Sequence, residues 1–116
     1  MTIQRFDTGP RMSKAVVNGN TVYLAGIVAD APKGKSMGEQ TKSILSQIDG
    51  FLAQAGTDKS KLLSANIWIT DMAKFAEMNA AWDAWVSPGN TPARATVEAK
   101  LASPDYVVEI MVVAAK

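Results

Sequence analysis

Glu109 occupies a position where a carboxylate is costly. It interrupts the run Tyr106 to Ala115, in which Val108, Ile110, Val112 and Ala114 alternate with Val107, Met111 and Val113. In a strand, that spacing makes both faces apolar and puts Glu109 on the face of Val107 and Met111. A carboxylate there must be paired, reach a cavity, or have its pKa raised by desolvation. Desolvation makes a glutamate a general acid or base near neutral pH. A structural salt bridge or a solvated strand end is the plainer reading. Arg94 follows the loop Ser87-Pro88-Gly89-Asn90-Thr91-Pro92 and begins a strand, so its guanidinium projects from the mouth of the sheet. Its planar fork suits a carboxylate held by two charge-assisted hydrogen bonds, and an ion pair with Glu98 or Glu109 is the alternative. Asn79 lies on an apolar helical stripe, one turn after Phe75 and three residues before Trp82. Its amide needs partners, which a neighbouring loop or a ligand can supply.

No histidine or cysteine accompanies these groups anywhere in the 116 residues. That excludes disulfides, thiolate nucleophiles, Ser-His and Cys-His couples, and metals held by imidazole or thiolate. With 12 basic and 11 acidic residues, the net charge is +1, and the basic residues are scattered singly. A nucleic-acid binder neutralises several phosphates from a basic stripe, so no nucleic-acid partner is expected. Neither GxGxxG nor GxxxxGK[ST] occurs. Trp68, Trp82 and Trp85, at strand or helical spacing, read as core or interface packing rather than base-stacking platforms. The longest uncharged apolar-rich run, Ala15 to Ala29, contains Asn18, Gly19, Asn20 and Thr21 and falls short of a membrane span. The N-terminal MTIQRFDTGPR offers no apolar signal core, and the protein reads as cytoplasmic.

The length predicts one domain, residues 1–116, without repeats or linkers. Ala15 to Val17 and Thr21 to Ala25 are strand-like pieces around Asn18-Gly19-Asn20, a short-hairpin signal. Ile44, Leu45, Ile48, Phe51, Leu52 and Ala55 recur at helical spacing, and Gly56 supplies a stop. Leu63, Ala65, Ile67 and Ile69 alternate with Ser64, Asn66, Trp68 and Thr70, which predicts a strand with one apolar face. Asp71 can cap a second helix reaching about Val86. Strands over Ala95 to Leu101 and Tyr106 to Ala115 follow, joined by Ala102 to Asp105. The order is two strands, helix, strand, helix, two strands, an α+β fold with two helices on a mixed β-sheet.

Two helices on one face leave the second apolar face of the last strand uncovered. Another copy of the chain covers it most simply, giving a homo-oligomer; helices on opposite faces are the alternative. If the last two strands form a hairpin, Leu101 pairs with Tyr106, Glu98 with Glu109 and Arg94 with Val113. Arg94 and Glu109 then share a face roughly 13 Å apart, and converge only across a subunit interface.

Several segments together resemble the Rid family, also called YjgF: Gly9-Pro10, Leu24-Ala25-Gly26, the helix beginning Glu39-Gln40-Thr41, Ala55-Gly56, Asp71 to Asn79, Pro92-Ala93-Arg94 with Val97-Glu98, and Val108-Glu109-Ile110. The resemblance implies a chorismate-mutase-like α+β fold and a homotrimer with ligand clefts between subunits. It also implies cofactor-free, metal-free hydrolysis of 2-imino or enamine acids, of the 2-iminobutanoate and 2-iminopropanoate class, to 2-oxo acids and ammonia. In it Arg94 clamps the substrate carboxylate, Glu109 positions the hydrolytic water, Asn79 lines the cleft and the backbone at Thr96 helps hold the carboxylate. Deaminating members carry a tyrosine shortly after Gly-Pro and a serine before the strand-ending glycine. Here Met12, next to Arg11, and Ala25 take those places. That departure motivates an alternative, a non-catalytic carboxylate-binding or regulatory homotrimer. A ribonuclease or translation inhibitor is a third reading, opposed by the missing histidine and basic stripe.

Overall fold

The computed structural model describes residues 2–116. The hairpin forms as expected: β2 (Ala15–Asn18) pairs antiparallel with β3 (Thr21–Leu24), with Asn18 opposite Thr21. The two-residue turn is made possible by Gly19, whose φ of 62° is a left-handed value that suits glycine. A strand that the sequence pattern did not reveal, β1 (Ile3–Phe6), pairs outside β2. It is almost wholly exposed, and an edge strand that buries so little leaves no periodic apolar trace.

Helix α1 spans Met37–Gln54. Ser36 caps it through a reciprocal box, the serine hydroxyl accepting from Glu39 N and Glu39 Oε1 accepting from Ser36 N. The hydrogen bonds from Ser36 hold the Glu39 carboxyl below its ordinary pKa. The helix ends where Gly56, at φ 86°, donates to Ala53 O and Thr57 N donates to Leu52 O. Asp71 caps a 3-10 turn at Met72–Lys74 rather than a helix, and α2 follows directly at Phe75–Trp85.

In β4 (Leu62–Ile69) the expected alternation holds from Ala65 onward and fails at Leu63. A register shift between Leu62 and Ser64 turns Leu62 into the core and leaves Leu63 50% exposed.

The larger correction concerns the last two strands, β5 (Ala93–Glu98) and β6 (Val108–Ala115), which do not form a hairpin. The sheet order is β1-β2-β3-β6-β4-β5, so β4 separates them. β5 runs parallel to β4, reached by the crossover through α2, and β6 runs antiparallel to both β4 and β3. The connection from Glu98 to Val108 therefore passes the end of β4, where Ala99 N donates to Ile69 O and Thr70 N to Val107 O, each at 3.0 Å. β6, apolar on both faces, takes a central place with hydrogen-bonded neighbours on either side.

One alternate set of residues from each inner strand enters a single core with the helices. Val22, Leu24, Ile67, Ile69, Val108, Ile110 and Val112 pack with Ile44, Leu45, Ile48 and Leu52 of α1 and Met78 and Trp82 of α2. Both helices thus cover the same face, and the arrangement with helices on opposite faces is excluded. The other face keeps Met111 and Val113 half-buried and Tyr23 and Val97 exposed. No helix among the described residues is long and apolar enough to cross a membrane.

Gln40 ties two loops to α1 from a site only 1% exposed. Its Nε2 donates to Asp105 O at 2.9 Å, Pro32 O at 3.0 Å and Lys35 O at 3.3 Å, and its Oε1 accepts from Val107 N at 3.1 Å. Gln40→Met keeps the length and strands those groups. It is expected to lower unfolding free energy by about 2–3 kcal/mol, measured by urea denaturation.

Candidate functional site

The position of β4 decides where the site residues point. Ala65 is paired with Arg94 and with Val112, Ile67 with Thr96 and Ile110, and Trp68 with Val97 and Glu109. Residues paired directly across strands share a face. Arg94 and Thr96 therefore sit on the helix-covered face, and Glu109 sits beside Trp68 and Val97 on the open one. The expected sharing of a face by Arg94 and Glu109 is overturned: β5 pairs parallel to β4 instead of antiparallel to β6, and their β4 partners, Ala65 and Trp68, are an odd number of residues apart.

On the helix side, α2 lays Phe75, Asn79 and Trp82 along one stripe over β5, at spacings of four and three. The Arg94 guanidinium carbon lies 5.3 Å from the Trp82 ring centre and 5.9 Å from that of Phe75. Glu98, one candidate ion-pair partner, is engaged elsewhere, its Oε1 accepting from Met72 N at 2.8 Å. Asn79 Oδ1 and Thr96 Oγ1 are the two buried side-chain polar atoms among the described residues that have no hydrogen-bond partner. Both belong to this seam, and a buried oxygen without a partner carries a desolvation cost that a ligand donor removes. The loop-capping explanation for Asn79 is not realised at its carbonyl oxygen.

On the open side, Glu109 is half-buried, and its carboxyl presses on Gly26. A Cβ at Gly26 would clash with Glu109 Oε2 and stand 3.1 Å from its carboxyl carbon. The next residue fixes this approach, because Ile27 N donates to Ile110 O at 2.8 Å and Ile110 N donates to Ile27 O at 3.1 Å. Ala25 precedes Gly26 and donates its N–H to Lys14 O at 2.9 Å. Met12 is 46% exposed in the loop between β1 and β2, its carbonyl accepting from Gly9 N at 2.8 Å. One chain thus separates the candidate residues into two groups: Arg94, Asn79 and Thr96 in the seam, and Glu109 with Ala25 on the open face. Reading from sequence missed Gly26 as the neighbour that shapes Glu109, and it took Trp82 for plain packing. The signal for Gly26 was a glycine directly after an apolar strand, where close approach of another group is a recurrent cause.

Fold and candidate residues define an α+β domain with one bare sheet face and a guanidinium on its edge strand. A family model described as Endoribonuclease L-PSP matches residues 2–116. The RutC family protein YoaB of Escherichia coli (strain K12) is 45% identical over 115 residues, 99% of either chain. A RutC family protein of Haemophilus influenzae is 45% identical over 114 residues, 98% of either chain. A solved structure of a YjgF family member from Neisseria meningitidis superimposes with a TM-score of 0.96 at 48% identity, covering 100% of this chain and 96% of that one. The chain belongs to the RutC/YjgF family, also called Rid.

The unpartnered Thr96 hydroxyl gives a direct check on the seam. Thr96→Val is nearly isosteric and removes the orphaned oxygen, so it is expected to raise unfolding free energy by about 1 kcal/mol in urea denaturation. A loss of stability would mean that the hydroxyl has a partner in the folded protein.

Proposed function

We propose that the protein hydrolyses reactive 2-imino or enamine carboxylic acids to 2-oxo acids and ammonia, at sites formed between copies of the chain in a homotrimer. The observation that carries this reading is the seam of Arg94, Asn79 and Thr96, where a guanidinium lies against the Trp82 ring and two buried oxygens have no partners. The uncovered apolar sheet face supports self-association. An arginine on an edge strand of one copy can then meet the Glu109 face of the next.

In this reading Arg94 holds the substrate carboxylate by charge-assisted hydrogen bonds, with the Thr96 backbone beside it. Glu109 orients water and accepts its proton as the oxygen bonds to the imine carbon. That proton passes to nitrogen to give a carbinolamine; as the carbonyl forms, the hydroxyl proton moves to the same nitrogen, the carbon–nitrogen bond breaks, and ammonia and a 2-oxo acid leave. The imine carbon is already electrophilic, so a held carboxylate and a placed water meet most of the chemical demand. A second reading, a carboxylate-binding trimer without catalysis, is favoured by Ala25, which brings no hydroxyl to the neighbourhood of Gly26 and Glu109.

The test is hydrolysis of 2-iminobutanoate generated in situ by a dehydratase. The wild type is expected to exceed the spontaneous rate. Glu109→Gln should lower kcat about 100-fold, as loss of a general base does. Arg94→Ala should lower kcat/KM about tenfold to 100-fold, the worth of hydrogen bonds to a charged group. Gly26→Ala is expected to leave unfolding free energy within about 1 kcal/mol, because the flexible Glu109 side chain gives way, yet to lose activity as Glu109→Gln does. A wild type no faster than the spontaneous reaction that still binds 2-oxobutanoate through Arg94 would establish the second reading instead.

A further inference from the structure

An arginine on an exposed edge strand is a poor clamp unless something fixes it. Its side chain has the largest class of rotamer freedom, and ordering that freedom on binding weakens affinity. Arg94 is exposed in the sequence of β5, yet its guanidinium carbon lies close to two ring centres, 5.3 Å from Trp82 and 5.9 Å from Phe75. A ring attracts the cation through its quadrupole and consumes none of the five N–H donors, which stay free for a carboxylate. Trp82 is itself immobilised, being 4% exposed in the main core. Its ring packs on Trp85 at 5.4 Å, and Trp85 Nε1 donates to Asp49 Oδ2 on α1 at 3.0 Å.

We propose that Trp82, with Phe75, is a positioning residue that seats the Arg94 guanidinium for its carboxylate ligand. The inference rests on the reading of Arg94 as a carboxylate clamp and adds how the clamp is preorganised. Trp82 touches no substrate; it acts through Arg94. The seat also specifies arginine over lysine at position 94, because a planar guanidinium stacks on a ring while still presenting its fork.

Two measurements test this, one with a ligand and one without. By calorimetry with 2-oxobutanoate, Trp82→Leu is expected to weaken binding about threefold to tenfold, the range of a lost cation–π contact. Trp82→Phe, which keeps a ring and guards against a variant that merely fails to fold, should stay near the wild type, and Phe75→Leu should fall between. In hydrolysis assays the loss should appear in KM with kcat retained. Without ligand, the Arg94 Nε–H cross-peak in a 1H–15N spectrum, assigned by its disappearance in Arg94→Ala, should be displaced by the ring current and return toward its ordinary position in Trp82→Leu. Equal binding by folded Trp82→Leu and wild type, or an unmoved cross-peak, overturns the seat. A wild type that does not bind 2-oxobutanoate overturns the carboxylate reading of Arg94, and the cross-peak still decides the seat.

Discussion

Everything about this site depends on β4 lying between β5 and β6. Because β5 joins the sheet parallel to β4, after a crossover through α2, the residue opposite Arg94 is Ala65 and the residue opposite Glu109 is Trp68. The odd offset between those two sends the guanidinium to the helix-covered face and the carboxylate to the bare one. The two groups are thereby kept apart within a chain, Arg94 exposed on the edge strand and Glu109 half-buried on the bare face. The same strand order places β6 in the middle of the sheet, with one apolar face in the core and the other on the bare side, where Met111 and Val113 are half-buried.

The two groups of candidate residues are shaped by different forces. Glu109 is confined sterically: Gly26 lacks the Cβ that would occupy the space of its carboxyl, and the paired bonds between Ile27 and Ile110 hold that backbone in place. The seam is shaped by unsatisfied polarity and by aromatic surface. Asn79 Oδ1 and Thr96 Oγ1 stay buried without partners while Trp82 and Phe75 face the guanidinium. Buried oxygens without partners cost stability, and the core of Ile, Leu and Val residues beneath the sheet offsets that cost.

Much of this was legible in the sequence because burial writes a period. The α1 stripe and the β4 alternation each follow from one face meeting a core, and the Asn18-Gly19-Asn20 turn from the left-handed backbone that Gly19 allows. β1 was not legible, since of its four residues only Phe6 is partly buried. Leu63 was misread because a one-residue irregularity reverses the face of everything before it, and a bulge leaves no compositional mark. The pairing of β5 was misread for a related reason. A four-residue link between two strand-like runs suggests a hairpin, and nothing local distinguishes it from a link that crosses the end of a third strand. The identities of Arg94, Asn79 and Glu109 were legible as chemistry and that of Thr96 only through the family resemblance; their division between two faces belongs to topology. Met12 and Ala25 were marked by family resemblance alone, and of the two Ala25 lies next to the glycine that Glu109 presses on.

The central claim is that Arg94 and Glu109 serve one ligand only when they come from different copies of the chain. Mixing tests it most directly. Arg94→Ala and Glu109→Ala chains, each impaired about tenfold or more alone, are co-refolded in equal amounts and assayed for imine hydrolysis, with mixed oligomers verified by mass. The account predicts recovery to about a quarter of the wild-type rate, the share of interfaces that pair an intact Arg94 with an intact Glu109 in a closed ring. Mixed oligomers that form and remain as inactive as either parent would contradict it.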